Sequence, residues 1–221
     1  MELKIKVPSN QSEITLEQYQ KFLSLVDLNK EDDNAHEFLS LKMLEIFCGV
    51  PYQTSMKYKY KDVHHIAGML GDVIDAKEEF VQKFTLGDTE FGFMPKLDDM
   101  SFGEYIDLDT HIQSWDNMHK AMAVLYRPIK VKYGERYRLE EYKGDNYHDA
   151  MKKMPLSAVL GSVVFFYNLG KDLSEGMRRY LEMEEVTALQ GKDSLIPSGD
   201  GITQFTHSLK GMLQSMNVFL K

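Results

Sequence analysis

Val159, Val163, Phe166, Gly170, Leu173, Met177 and Tyr180 follow one another by steps of 4, 3, 4, 3, 4 and 3, just after Pro155. Only an α-helix returns side chains to one face at that spacing, and proline is well suited to the turn that opens a helix. The pattern predicts a long helix from about Leu156 to Glu184. Its first part, Leu156 to Leu169, is apolar on nearly every side but broken by Ser157, Gly161, Ser162 and Asn168. It is also too short to cross a hydrocarbon layer roughly 30 Å thick. A helix of this kind has to be covered by protein, so the remainder of the chain must supply surfaces that pack around it.

Those surfaces are mostly helical. Thr15-Leu16-Glu17-Gln18 has the form of a capping box, in which the threonine hydroxyl accepts from an orphan amide and Gln18 reaches back to the Thr15 amide. Tyr19, Phe22, Leu23 and Val26 follow at helical spacing. A second helix is expected from about Asp33 to Cys48, stopped by Gly49 and Pro51. A third is expected after Asp62, with Val63, Ile66, Leu70, Val73 and Phe80 on its apolar face. Alternation of apolar and charged residues predicts short strands over Leu3 to Val7 and over Met56 to Tyr60. Two hairpins are expected: Phe84–Leu86 with Phe91–Phe93 around Gly87-Asp88-Thr89-Glu90, and Ile129–Tyr133 with Arg136–Leu139 around Gly134-Glu135. The fold class is therefore α+β, predominantly α-helical.

Met100-Ser101-Phe102-Gly103-Glu104-Tyr105 echoes Ile14-Thr15-Leu16-Glu17-Gln18-Tyr19: both are capping boxes followed by tyrosine, and an apolar helix and a proline come after each. The echo reads either as a diverged duplication, with halves at about 1–95 and 96–190, or as two independent uses of the same helix start. Residues 191–201 concentrate turn formers and read as a linker. Beyond them Ile202, Phe205, Leu209, Met212, Met216 and Phe219 step by 3, 4, 3, 4 and 3, which predicts an amphipathic helix tethered to a body formed by 1–190. Its polar face carries little charge, which argues against a membrane surface as its partner.

The chain has 34 acids against 26 bases and a formal charge of −8, which disfavours nucleic acid as a partner because phosphate binding runs on lysine and arginine. Its one cysteine excludes a disulfide framework. Met1 to Val7 has no apolar core of signal-peptide length, so a cytoplasmic start is expected. The seven histidines are not spaced as metal ligands, and Asp107-Leu108-Asp109 departs from a calcium loop at its sixth position, Ile112. No cofactor is expected. Charge is segregated instead. From Asp88 to Asp116 eight acids, among them Asp98, Asp99, Asp107 and Asp109, face one base. From Arg127 to Lys143 six bases, including Arg127, Lys130, Lys132, Arg136 and Arg138, face three acids. These stretches can pair within one chain or between copies set head to tail.

Leu97-Asp98-Asp99-Met100-Ser101-Phe102-Gly103-Glu104-Tyr105-Ile106-Asp107-Leu108-Asp109, Trp115 to Ile129 and Pro155 to Gly170 together resemble small proteins encoded among the structural and assembly genes of tailed bacteriophages, including crAss-like phages. The resemblance covers roughly residues 95 to 172 and implies a non-enzymatic part. That part is either a virion protein near capsid, portal vertex or tail, or a tail-assembly chaperone of the host cytoplasm that is absent from the finished particle. The partners expected are other structural subunits and further copies of the chain. The interface candidates are the segregated charges named above and the stripe from Ile202 to Phe219. A small enzyme with a carboxylate site at Asp98, Asp107 and Asp109 is the alternative of another class.

Overall fold

The computed structural model describes residues 5–31, 35–77, 79–144, 146–169, 171 and 175. The described residues are mainly helical, with one small antiparallel sheet among them. Helices α1 (Leu16–Leu28), α2 (Ala35–Cys48), α3 (Tyr52–Ser55) and α4 (Tyr60–Asp75) come first, followed by strands β1 (Lys83–Leu86) and β2 (Thr89–Phe93). Helices α5 (Phe102–Ile112) and α6 (Met118–Leu125) lead into strands β3 (Tyr126–Tyr133) and β4 (Arg136–Leu139). The short α7 (His148–Met151) and α8 (156–169) close the described body.

Local chemistry explains most of these boundaries. Both capping boxes form: Thr15 Oγ1 accepts from the Gln18 amide while Gln18 accepts from the Thr15 amide, and Ser101 and Glu104 repeat the exchange at the start of α5. The sheet is a meander in the order β1-β2-β3-β4. Gly87 at φ 57° and Gly134 at φ 59° supply the left-handed backbone that the two tight turns require. Strand β3 begins directly at the end of α6 and is longer than the alternation predicts, because Tyr126 to Pro128 pair with Phe93 to Phe91 of β2.

Among the described residues two expected strands do not form. Ile5 to Val7 have no strand partner, and Met1 to Lys4 lie outside the described residues. Met56 to Lys59 form a turn that links α3 to α4, with the Met56 amide bonded back to the Tyr52 carbonyl. Alternation alone does not make a strand when no neighbouring strand is there to take its amides and carbonyls. Helix α4 also ends at Asp75, before Phe80, so the buried face is Val63, Ala67, Leu70 and Ile74.

Among the described residues two apolar clusters form the core. One joins α1, α2 and α4; the other joins the sheet to α5, α6 and α7. Helix α8 contributes to both, with Leu156 and Leu160 in the first and Val159, Val163 and Phe166 in the second. The covered helix that the sequence demands is thus shared by the two clusters, as is α1, whose Leu16 joins the second while Tyr19, Phe22 and Val26 join the first. The remaining seam positions from Gly170 to Tyr180, the linker 191–201 and the stripe from Ile202 to Phe219 lie outside the described residues, apart from residues 171 and 175.

Tyr126, fully buried where β3 leaves α6, is anchored to α8. Its hydroxyl donates to the Val81 carbonyl and lies 2.9 Å from Ser162 Oγ. Burial pushes this phenol far above its ordinary value, so it remains a neutral donor. The same helix approaches residues 79–80 so closely at Gly161 that a Cβ there would lie 2.8 Å from the Glu79 carbonyl oxygen. Among the described residues no helix is long and apolar enough to cross a membrane.

Candidate functional site

The acidic and basic stretches converge where α5 begins beside β3. Glu104 sits in the first turn of α5 because Ser101 caps it, and its Oε2 accepts from the Ser101 amide at 2.7 Å. Its Oε1 meets Arg127 Nη1 at 2.8 Å, with side chains only 7% and 11% exposed. Arg127 is held in place by its register opposite Gly92 on β2. Its guanidinium lies 6.0 Å from the centre of the Tyr142 ring, and the Tyr142 hydroxyl donates to Asp107 Oδ2 at 2.6 Å. Burial first, and then the hydrogen bond to Asp107, raises the Tyr142 phenol well above its usual value. A second tyrosine clamp lies nearby: Tyr147 donates to Glu140 Oε2 at 2.6 Å, and that bond is the main reason its phenol is pushed up to about 12.

These groups border an open cleft of about 720 Å³ with Met94, Lys96, Tyr137 and Arg138 on its walls. Asp99, Glu104, Glu140 and Glu141 are its acids, whereas Asp107 and Asp109 are not among the lining residues. Of the Asp98, Asp107 and Asp109 set, Asp107 and Asp109 thus stand apart from the carboxylates that border the cleft. The cleft holds charges of both signs, and its deepest pair is already matched.

The other sequence candidates fall into three groups. Lys132 pairs with Glu90 across the sheet, so Arg127, Lys132 and Asp107 all have partners within the chain. Asp99, Lys130, Arg136 and Arg138 are exposed, and Asp109 is half-buried. Asp98 belongs to the 3-10 turn Leu97–Asp99 that precedes α5. Ile202, Phe205, Leu209, Met212, Met216 and Phe219 lie outside the described residues.

Sequence reasoning passed over the outer face of α5. Glu104, Leu108 and Ile112 turn inward, which leaves Phe102 at 79%, Tyr105 at 55% and Ile106 at 46% exposure. Spacings of three and four put these side chains together on one face of the helix. The signal lay in α5 itself: its inward positions were legible by period, and bulky apolar residues occupied the complementary positions. A clustered apolar surface beside acids is the kind of feature that marks an interaction site.

Three histidines meet on the other side of α5. The rings of His111 and His148 are 6.1 Å apart, and those of His119 and His148 are 6.5 Å apart. Among the described residues no group of three or more His, Cys, Asp or Glu is placed to hold a metal ion. Burial is the first cause that holds His111 and His119 below the ordinary imidazole value. Lys120 and His148 act in the same direction on both rings, and Lys152 on His119; Asp107 and Asp149 oppose them. A histidine with a lowered folded value binds its proton more readily when unfolded, so stability is present above about 6.5 and is lost as pH falls toward the folded values. Urea midpoints should therefore drop between about pH 7 and pH 5, and a His111→Asn/His119→Asn variant should show a flatter profile. An identical slope in that variant would remove the histidines as the cause.

No family model matches the chain, and neither the curated proteins nor the solved structures contain a match.

Proposed function

We propose that this protein is a non-enzymatic structural and assembly component of a tailed bacteriophage particle, which binds other subunits at the capsid, portal vertex or tail. The observation that carries the reading is the outer face of α5, where Phe102, Tyr105 and Ile106 stand exposed with Asp109 one turn further along the helix. Exposed aromatic and aliphatic side chains contribute most when a partner desolvates them, and flanking charges steer that partner and fix its orientation. This face lies within residues 95 to 172, the part of the sequence that resembles phage structural and assembly proteins. The stripe from Ile202 to Phe219 adds a second apolar surface by its sequence pattern.

Deleting Ile202 to Lys221 tests the second surface. The truncated chain should keep the far-ultraviolet circular dichroism and the cooperative melt of its body while losing capture of its particle subunits. Undiminished capture by a folded truncated chain would remove the carboxy-terminal stripe from the account.

A further inference from the structure

Strand pairing gives the β3–β4 hairpin a face that the sequence does not display. Val131 pairs with Arg138 and Tyr133 with Arg136, after an irregularity between Ile129 and Val131. Cross-strand partners share a face, as do residues two apart on a strand, so these four side chains stand together. All four are exposed, Tyr133 to 69%. The opposite face is engaged with the body: Tyr137 covers Gly92 and donates to the Phe93 carbonyl, and Lys132 pairs with Glu90. The hairpin therefore presents two apolar side chains on β3 beside two arginines on β4.

The outer face of α5 is its counterpart in charge. Phe102, Tyr105 and Ile106 form the apolar part, with Asp109 one turn beyond Tyr105 and Ile106; Asp99 precedes the helix, on the wall of the cleft that Arg138 also borders. Among the described residues Asp99, Asp109, Arg136 and Arg138 form no ion pair, whereas Arg127, Lys132, Glu90 and Glu104 are matched internally. Internal pairing thus leaves a basic apolar face on the hairpin and an acidic apolar face on α5.

We propose that the hairpin face of one copy, Val131, Tyr133, Arg136 and Arg138, docks on the α5 face of a second copy. The proposal deepens the assembly reading and rests on it for its purpose, but the contact itself is testable alone. Because the two faces differ, the contact either closes into a ring, a two-fold pair being the smallest, or runs on from copy to copy as an open filament. Tyrosine and arginine at the centre of such a contact would be its strongest contributors, and added salt would weaken it by screening the charges.

Sedimentation velocity of the full chain over a range of concentrations provides the test. The sedimentation coefficient should rise with concentration at low salt and rise less at high salt. An Arg136→Glu chain and an Asp109→Lys chain, each changed at a position away from the cleft, should each associate at least about tenfold more weakly, and mixing the two should restore association through the reversed pair. Tyr133→Ser is an independent variant at a position the fold leaves in solvent, and thermal melts matching the parent chain establish that each variant is folded. A parent chain that stays monomeric throughout, folded variants that associate like the parent, or a mixture that regains nothing would each overturn the contact. Presence in or absence from particles does not bear on these outcomes, so failure of the contact and failure of the assembly reading are told apart.

Discussion

Glu104→Ala is expected to destabilise the protein by about 3–5 kcal/mol, because it leaves the mostly buried Arg127 guanidinium with no carboxylate. The same substitution removes half of the capping box that starts α5, a further loss of about 1 kcal/mol. At this chain length each kcal/mol corresponds to roughly 2–4 °C in Tm, so the melt should fall by about 10 °C or more. Replacing both partners, Glu104→Leu with Arg127→Met, should cost much less than the sum of the single changes, since no buried charge is then stranded. A double-mutant cycle by urea denaturation should return a coupling of roughly 1–3 kcal/mol. Strictly additive effects would mean that the pair does not act as a unit. The consequence reaches the proposed interface, because this ion pair fixes the first turn of α5 on which Phe102, Tyr105 and Ile106 are mounted.

Gly161→Ala should also be destabilising, although alanine in place of a helical glycine ordinarily gains about 1 kcal/mol. The built Cβ meets backbone on its open side, 2.8 Å from the Glu79 oxygen and 3.2 Å from Phe80 Cα, and backbone cannot swing away as a side-chain tip can. Relieving the overlap would push residues 79–80 off α8 and disturb the packing of Phe80 on Phe165 and Phe93, whose ring centres lie 4.8 and 4.7 Å away. A loss of about 1–3 kcal/mol is expected for alanine and a larger one for Gly161→Val. A raised Tm for the alanine variant would contradict the close crossing of α8 over this segment.

The legible parts of this fold are those set by short-range chemistry. Thr15 with Gln18 and Ser101 with Glu104 announce helix starts because the groups that bond are three residues apart. Gly87 and Gly134 announce hairpins because the turn needs a backbone that few other residues adopt. Val159, Val163 and Phe166 announce a buried helix face by period alone. Alternation misled at Ile5 to Val7 and at Met56 to Tyr60, where the meander β1-β2-β3-β4 gives neither segment a strand partner. The pairing of Glu104 with Arg127 was legible only as two oppositely charged stretches, since the register of β3 against β2 decides which base reaches which acid. The exposed face of α5 went unread for a related reason: bulky apolar residues in a helix look like core until the other side of that helix is found to be the side that is buried.

The central claim is that this chain serves by being built into a particle with other subunits. Quantitative mass spectrometry of purified particles of a tailed phage whose genome carries this sequence, the source that the proposal requires, tests that claim most directly. The account predicts the protein at a fixed copy number relative to the major structural subunits, retained through density-gradient purification; its absence from intact infectious particles would contradict the account.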